Sequence, residues 1–102
     1  MERIDTTAQT GFFDVVAGTD RSQAATMTLE PGQSTGGPSN RHAESDQWLF
    51  VVEGSGEATI DGDTHDLQAG TLVLIEPGEP HEITATGDQP LVTINVYAPP
   101  EY

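Results

Sequence analysis

The sequence predicts an all-β fold in which short antiparallel strands close into a sandwich or a barrel. Runs of β-branched and aromatic residues recur along the 102-residue chain, and Gly, Pro, Asn and Asp separate them. No segment of useful length shows 3.6-residue periodicity with caps at both ends, which argues against helices. Several short strands at even spacing are typical of a sandwich or a barrel. We expect residues 1–102 to form one domain, with the barrel strands between about residues 11 and 98.

Eight strands are predicted, each ending where turn-forming residues interrupt the apolar pattern. In chain order they are Gly11–Val16, Gln23–Glu30, Gln47–Glu53, Glu57–Ile60, His65–Leu67, Thr71–Ile75, His81–Thr86 and Leu91–Ala98. The interruptions include Glu30-Pro31-Gly32, the loop Ser34–Asn40, Gly54-Ser55-Gly56, Asp61-Gly62-Asp63, Gln68-Ala69-Gly70, Pro77-Gly78 and Gly87-Asp88. Asp61-Gly62 is predicted to be a hairpin turn, because Gly accepts the positive φ that a right-twisting hairpin requires.

The third predicted strand has two faces, which alternate along it. One face carries Gln47, Leu49, Val51 and Glu53, and the other carries Trp48, Phe50 and Val52. If Gln47 faces the interior, then Trp48 and Phe50 point outward, and an exposed aromatic pair needs cover. The cover is either the N-terminal strand with Phe12 and Phe13 or a second copy of the chain. We favour the second copy and therefore expect a homodimer.

The charge of the chain limits its partners. The chain has seventeen acidic and three basic residues, and its net charge is −14. Such a charge repels nucleic acid phosphates and anionic membranes, so we expect neither as a partner. The acidic residues are spread singly among apolar strands, a pattern that we interpret as the carboxylate-rich surface of a halophilic protein.

Cysteine usage and hydropathy exclude further classes. The chain contains no Cys, which excludes disulfides and thiolate metal sites. No apolar stretch approaches the length of a membrane span, and the N-terminal residues do not form a signal peptide. We therefore expect a cytoplasmic protein.

Two histidines stand in spaced motifs that resemble those of the cupin superfamily, which consists of small antiparallel jelly-roll barrels. The first motif reads Asn40-x-His42, four residues, Gln47, six residues, Gly54. The second reads Gly70, five residues, Glu76-x-Gly78, two residues, His81, three residues, Ala85. In cupins the first motif carries His-x-His and Glu, and the second carries Pro-x-Gly, His and Asn. The resemblance covers about Gln23 to Tyr97 and implies a double-stranded β-helix.

The resemblance also implies a divalent metal ion (Fe, Mn, Ni or Zn) in the barrel. Its ligands would be His42, Gln47 and His81, with Asn40 as a fourth or supporting group. Two of the four usual positions keep His and two carry amides, so the site lacks the carboxylate that normally binds a hard divalent ion. Glu44, two residues beyond His42, is a weaker candidate for a replacement ligand. Five further residues are expected to line the pocket, the apolar Leu49, Val51 and Ile83 and the polar Glu44 and Tyr97.

The last strand leaves one orientation open. Asn95 and Tyr97 alternate with Val92, Ile94 and Val96, and either set can face the interior. No residue stands out as a general base, and Glu44 and Tyr97 are the nearest candidates.

The sequence is compatible with three functions. The first is a metal-dependent oxygenase, isomerase or lyase that acts on a small molecule. The second is a binding module that holds a sugar or a small acid without metal, which the missing carboxylate favours. The third is an accessory protein that acts through its dimer face. The sequence contains no nucleophile elbow, phosphate-binding loop or dinucleotide fingerprint.

Overall fold

The computed structural model describes residues 1–37 and 41–102, and it confirms the all-β prediction. Eight strands follow a 3-10 turn at Thr6–Ala8. They are β1 (Phe13–Gly18), β2 (Gln23–Leu29), β3 (Asp46–Glu53), β4 (Ser55–Ile60), β5 (Asp63–Gln68), β6 (Leu72–Ile75), β7 (His81–Ala85) and β8 (Leu91–Ala98). In the two described ranges, no helix is long and apolar enough to cross a membrane.

The strands form two antiparallel sheets. The larger sheet has five strands in the order β1-β2-β8-β3-β6, and the smaller has three in the order β5-β4-β7. The last strand, β8, lies at the centre of the larger sheet, between β2 and β3. Parallel neighbours are absent from these pairings, as expected where short turns join successive strands.

The apolar core lies between the sheets, because each strand turns one face inward. Met27, Leu29, Leu49, Val51 and Leu91 come from the larger sheet, and Ala58, Leu67, Ile83 and Ala85 come from the smaller one. On β8 the inward residues are Leu91, Thr93, Asn95 and Tyr97, all buried. This arrangement settles the orientation of the last strand, with Asn95 and Tyr97 inside.

All eight predicted strands are present, and the bounds of β1, β4 and β5 differ by two residues at one end or at both. The first begins two residues later than predicted and ends at Gly18, with an irregularity in its pairing between Val15 and Ala17. The fifth is longer at both ends, because its polar residues Asp63 and Thr64 pair with β4. Edge strands that are exposed on both faces give no alternating signal in the sequence.

The turn predicted at Gly54-Ser55-Gly56 is wrong in one respect, because Ser55 and Gly56 already belong to β4. Only Gly54 separates β3 from β4, at φ +89°. A Cβ atom at this position would meet the backbone of Pro90 and, at 2.8 Å, the Cα atom of Leu91. Both the conformation and the close approach of the chain therefore require Gly.

The hairpin turn predicted between β4 and β5 is confirmed. Ile60 and Asp63 pair across the turn, so Asp61 and Gly62 form a two-residue loop. Their φ angles are 50° and 87°. Positive values at both central residues are those of the turn that matches the twist of a hairpin.

The outer face of the larger sheet remains partly uncovered. Five residues on it and on the adjoining edge are each at least 40% exposed: Trp48, Phe50, Val52, Leu72 and Leu74. Trp48 lies opposite Leu74 and Phe50 opposite Leu72, so these side chains form a continuous stripe across β3 and β6. We call these five residues the apolar stripe.

The N-terminal segment lies on the same face and reaches one end of the apolar stripe. Its residues Thr6, Thr7, Gln9 and Thr10 line a cavity of about 360 Å³, whose other walls include Val52 of the stripe, Val92 and Ile94. The expectation that Phe12 and Phe13 could cover Trp48 and Phe50 is wrong. Both phenylalanines lie on the opposite side, at the pocket that contains the histidines. Phe13 is opposite the inward-facing Met27, which explains its orientation.

Candidate functional site

The predicted ligand residues meet at a cavity of about 270 Å³. His42, Gln47 and His81 line it, and each is less than 6% exposed. The remaining lining residues are Phe12, Phe13, Met27, Thr35, Gly36, Ile83, Tyr97 and Tyr102. The pocket thus has a polar part formed by the three predicted ligands and an apolar, largely aromatic wall.

A turn between β6 and β7 brings the two histidines together. Glu79 N–H donates to the carbonyl of Glu76 at 3.1 Å, and Gly78 has φ +83°. Pro77 followed by Gly at positive φ is typical of a type II turn. Gly78 N–H donates to the carbonyl of His42 at 2.7 Å, which ties the loop before β3 to the start of β7. The ring centroids of His42 and His81 are 4.8 Å apart.

A chain of buried hydrogen bonds begins at His42. Its Nε2 lies 2.8 Å from Oε1 of Gln47. Gln47 Nε2 donates to Oδ1 of Asn95 at 3.1 Å, and Asn95 Nδ2 donates to the hydroxyl of Thr93 at 2.9 Å. This chain holds the amide oxygen of Gln47 toward the pocket and gives its NH₂ group a buried acceptor.

His81 presents a free nitrogen to the pocket. Its Nδ1 is 3.1 Å from the carbonyl oxygen of Glu79, which can only accept, so Nδ1 carries the proton. Burial lowers the pKa of His81, the nearby His42 adds to this effect, and the Glu79 carbonyl and carboxylate oppose it. The ring is therefore neutral near pH 7, with the lone pair of Nε2 available to a ligand or a metal ion.

A carboxylate that the sequence analysis did not identify lies beside His42. Glu101 Oε1 is 3.2 Å from His42 Nδ1. Both ring nitrogens of His42 thus face oxygen acceptors. The aromatic ring of Tyr102 lies beside the same histidine. Its centroid is 6.1 Å from that of His42 and 5.1 Å from that of Tyr97.

Two buried side chains hold the segment that carries Glu101. Gln23 Nε2 donates to the carbonyl of Tyr102 at 2.6 Å, and its Oε1 accepts from the N–H groups of Glu101 and Tyr102. Ser45 donates to the carbonyl of Pro99 at 2.6 Å. The signal in the sequence is Gln23, a polar residue at an inward position of a strand that otherwise turns apolar residues inward.

The residues predicted to line the pocket are distributed between three environments. Ile83 and Tyr97 line it. Leu49 and Val51 are fully buried in the apolar core, which also contains Ile83. Glu44 is exposed, so its expected place in the pocket and its role as a replacement ligand are corrected. Asn40, the predicted fourth ligand, lies outside the described residues.

Tyr97 is unsuited to act as a base. Burial strongly raises the pKa of its phenol, and the neighbouring Tyr102 and the charge of Glu101 raise it further. The hydroxyl therefore stays protonated at physiological pH. It shares a hydrogen bond with Tyr102, and a molecule in the pocket would accept the Tyr97 proton in place of Tyr102.

The donor set fits a divalent ion, but with fewer charges than a typical site. Within residues 1–37 and 41–102, no group of three or more His, Cys, Asp or Glu side chains is placed to hold a metal. The available donors are two imidazole nitrogens and one amide oxygen. Neighbouring ligands of an octahedral ion with bonds of about 2.1 Å lie about 3 Å apart. The 2.8 Å between His42 Nε2 and Gln47 Oε1 is close to this value.

Two curated proteins are similar to this chain in sequence. It is 31% identical over 86 residues to mannose-1-phosphate guanylyltransferase of Escherichia coli, a match that spans 84% of this chain and 18% of that protein. It is 30% identical over 61 residues to the uncharacterized protein MJ1618 of Methanocaldococcus jannaschii, over 60% of this chain and 49% of that protein. The chain thus corresponds to about half of one relative and to a minor part of the other.

Structural similarity and a family model agree with the motifs. The crystal structure of BH2720 from Bacillus halodurans superimposes with a TM-score of 0.89 at 26% identity, over 95% of this chain and 76% of that one. The family model described as the cupin domain matches residues 25–97, which include both histidines, Gln47 and Asn95. A match over most of the chain, with the jelly-roll architecture in place, shows that this protein belongs to the cupin family.

Proposed function

We propose that this protein binds a divalent metal ion through His42, Gln47 and His81 and acts on a small molecule in the adjoining pocket. The observation that carries the proposal is the convergence of the three side chains on one cavity, where His42 Nε2 and Gln47 Oε1 are 2.8 Å apart. The ion would be Fe, Mn, Ni or Zn. Bound there, it would supply a Lewis acid or redox centre for an oxygenase, isomerase or lyase reaction.

The lining of the pocket restricts the substrate. A cavity of about 270 Å³ accommodates a small molecule only. Phe12, Phe13 and Met27 would contact its apolar part, and Tyr97 would donate a hydrogen bond to an oxygen atom. Among the residues that the structure describes, no Lys or Arg lines the cavity, so a phosphate group would lack the partners that usually bind it. We therefore propose an unphosphorylated substrate with at least one oxygen donor.

The test is the metal content of tag-free protein, purified in high salt without chelator. The wild-type protein is expected to contain nearly one equivalent of one divalent metal. The double variant His42→Ala/His81→Ala should lose it, because removing both imidazoles leaves one amide oxygen as the remaining donor. Elemental analysis of both proteins gives the stoichiometry and names the ion.

The matched control is His65→Ala, which removes an exposed imidazole of β5 away from the site. This variant should keep its metal. Full metal content in the double variant, after circular dichroism has shown that it is folded, would contradict the assignment of the ligands. A wild-type protein that binds none of the four ions after their addition would contradict metal binding itself.

A binding module without metal is the second candidate. It is favoured by the closed hydrogen-bond chain from His42 through Gln47 and Asn95 to Thr93, which satisfies the polar groups in the absence of an ion. In that case the ligand would be a sugar or a small acid. Wild-type protein without affinity for metals that is stabilised by such ligands in a thermal shift screen would support this function instead.

We also propose that a second copy of the chain covers the apolar stripe, in a cytoplasm of high ionic strength. The stripe is exposed, and of its five residues Val52 is the one that lines a cavity with the N-terminal segment. A two-fold dimer would place two identical stripes against each other. An accessory role through this face is the third candidate for the function of the protein.

A further inference from the structure

The carboxylate of Glu101 lies outside the ligand motifs and is not one of the proposed metal ligands. We infer that Glu101 is a positioning residue for the metal site, and that through His42 it supplies the negative charge that Gln47 does not. This inference rests on the proposed metal binding. It assigns a role to a segment of the chain that lies outside the matched family region.

The contact between Glu101 and His42 determines which nitrogen faces the pocket. Without an ion, Nε2 of His42 donates to Gln47 Oε1, 2.8 Å away. An ion bound between these two atoms would replace the Nε2 proton, and Nδ1 would then carry the ring proton and donate it to Glu101 Oε1, which lies 3.2 Å away. An anionic acceptor on one ring nitrogen fixes the tautomer of a histidine and makes its other nitrogen a stronger metal ligand.

The position of Glu101 is held from several sides. Gln23, which is 8% exposed, binds the backbone of Glu101 and Tyr102 through both ends of its amide. Ser45, which is 2% exposed, binds the carbonyl of Pro99. Buried polar side chains that are committed to a short segment lower the entropy lost when the carboxylate contacts His42. The backbone that carries the carboxylate is therefore fixed beside His42.

The three proposed ligands carry no negative charge, so a carboxylate next to one of them would strengthen the binding of a divalent ion. His42, Gln47 and His81 provide three neutral donors, whereas a typical site for a hard divalent ion includes one carboxylate. Glu101 and Glu44 are both exposed as whole residues, but the side chain of Glu101 is 28% exposed and its carboxylate contacts His42, so solvent screens its charge only in part. Glu44 is closer to His42 in the sequence and offers a matched comparison.

The experiment measures the affinity of Ni²⁺ and Zn²⁺ for chelator-stripped protein by calorimetry. Glu101→Gln keeps an oxygen that accepts from His42 Nδ1 and removes the charge. We expect it to raise the Kd for both ions about 10-fold or more, in the range found for partners of metal-ligating histidines. Glu101→Leu removes the acceptor as well, and its Kd should rise further.

The control is Glu44→Gln, which makes the same change of net charge. It should alter the Kd by less than about 2-fold, because an exposed carboxylate contributes little at moderate ionic strength. The melting temperature of the metal-free Glu101→Gln protein should equal that of the metal-free wild type. This readout separates a role in metal binding from a role in folding.

The outcomes are distinct. Equal Kd values for Glu101→Gln and Glu44→Gln, with tight binding by the wild type, would overturn the role of Glu101 and leave metal binding intact. A wild-type protein without affinity for Ni²⁺, Zn²⁺, Mn²⁺ or Fe²⁺ would overturn both proposals. A loss of affinity in the Glu101 variants that is matched by an equal loss of metal-free stability would show that the residue acts through the fold alone.

Discussion

Asn95 is a fully buried amide with a hydrogen-bond partner on each side. It accepts from Gln47 and donates to Thr93, so it connects the pocket to the centre of the larger sheet. It lies opposite Leu49 in the pairing of β3 with β8, one inward position from Gln47. Diagonal neighbours on one sheet face are within reach of long side chains. The orientation of the Gln47 amide therefore depends on a residue of another strand.

Replacing Asn95 should destabilise the protein more than its size suggests. Asn95→Leu keeps the branched shape and the number of side-chain heavy atoms but leaves the buried NH₂ group of Gln47 without an acceptor. The free energy of unfolding in urea, measured with chelator present, should fall by about 2 kcal/mol. Thr93→Val removes the acceptor of the Asn95 NH₂ group but keeps the bond between the two amides, so it breaks one hydrogen bond where Asn95→Leu breaks two and should cost about half as much. An Asn95→Leu protein as stable as the wild type would show that the chain of amides does not restrain Gln47.

At the scale of whole elements, single glycines set the connections between strands. Gly54 and Gly62 both have φ near +90°, but their surroundings differ. A Cβ atom at Gly54 would clash with the backbone before β8, whereas a Cβ atom at Gly62 would meet open space. The first glycine lets β8 approach the corner where β3 passes into β4. The second only permits a tight turn.

Substituting the two glycines separates the cost of backbone strain from the cost of a steric clash with the neighbouring chain. Gly62→Ala should lower the free energy of unfolding by about 1–2 kcal/mol, the penalty for a side chain at left-handed φ. Gly54→Ala should add the cost of displacing backbone and lower it by about 3 kcal/mol or more. Chemical denaturation of both variants under the same conditions tests this order. Equal values would show that the chain before β8 can shift without penalty.

The sequence predicted the strands better than it predicted the site. Alternation and turn residues located all eight strands, and the three residues singled out by the cupin-like spacing, His42, Gln47 and His81, line one cavity. Glu101 was not predicted, because its contact with His42 joins distant parts of the chain and leaves no local pattern. Glu44 was misplaced, since a residue in the loop before β3 has no strand alternation to orient its side chain.

For the whole molecule, charge and the apolar stripe act against each other. A net charge of −14 opposes the approach of two copies, while the stripe favours it. Salt shortens the range of the repulsion, from about 10 Å at 0.1 M to about 3 Å at 1 M. The apolar attraction is not weakened by this change. Association and stability should therefore both increase with KCl concentration.

Sedimentation and melting in about 0.1 M and about 1 M KCl test this expectation. The wild-type protein should be a dimer in the higher salt and should melt at a higher temperature there. Phe50→Gln should remain a monomer yet retain part of the rise in melting temperature, because its net charge is unchanged. Val15→Gln, at an exposed position of the opposite edge strand β1, should still dimerise. A wild-type protein that stays monomeric and melts at one temperature in both salts would contradict both proposals.

The central position of β8 has a consequence for folding during synthesis on the ribosome. The eighth strand in chain order occupies the middle of the five-stranded sheet, so β2 and β3 cannot complete their pairing until it has been synthesised. Until then both strands expose unpaired edges, which favour association with other chains. The same strand carries Asn95 and Tyr97, so a nascent chain that lacks it has neither the hydrogen-bond partner of Gln47 nor the Tyr97 wall of the pocket. Folding of the larger sheet is therefore expected to follow translation of β8.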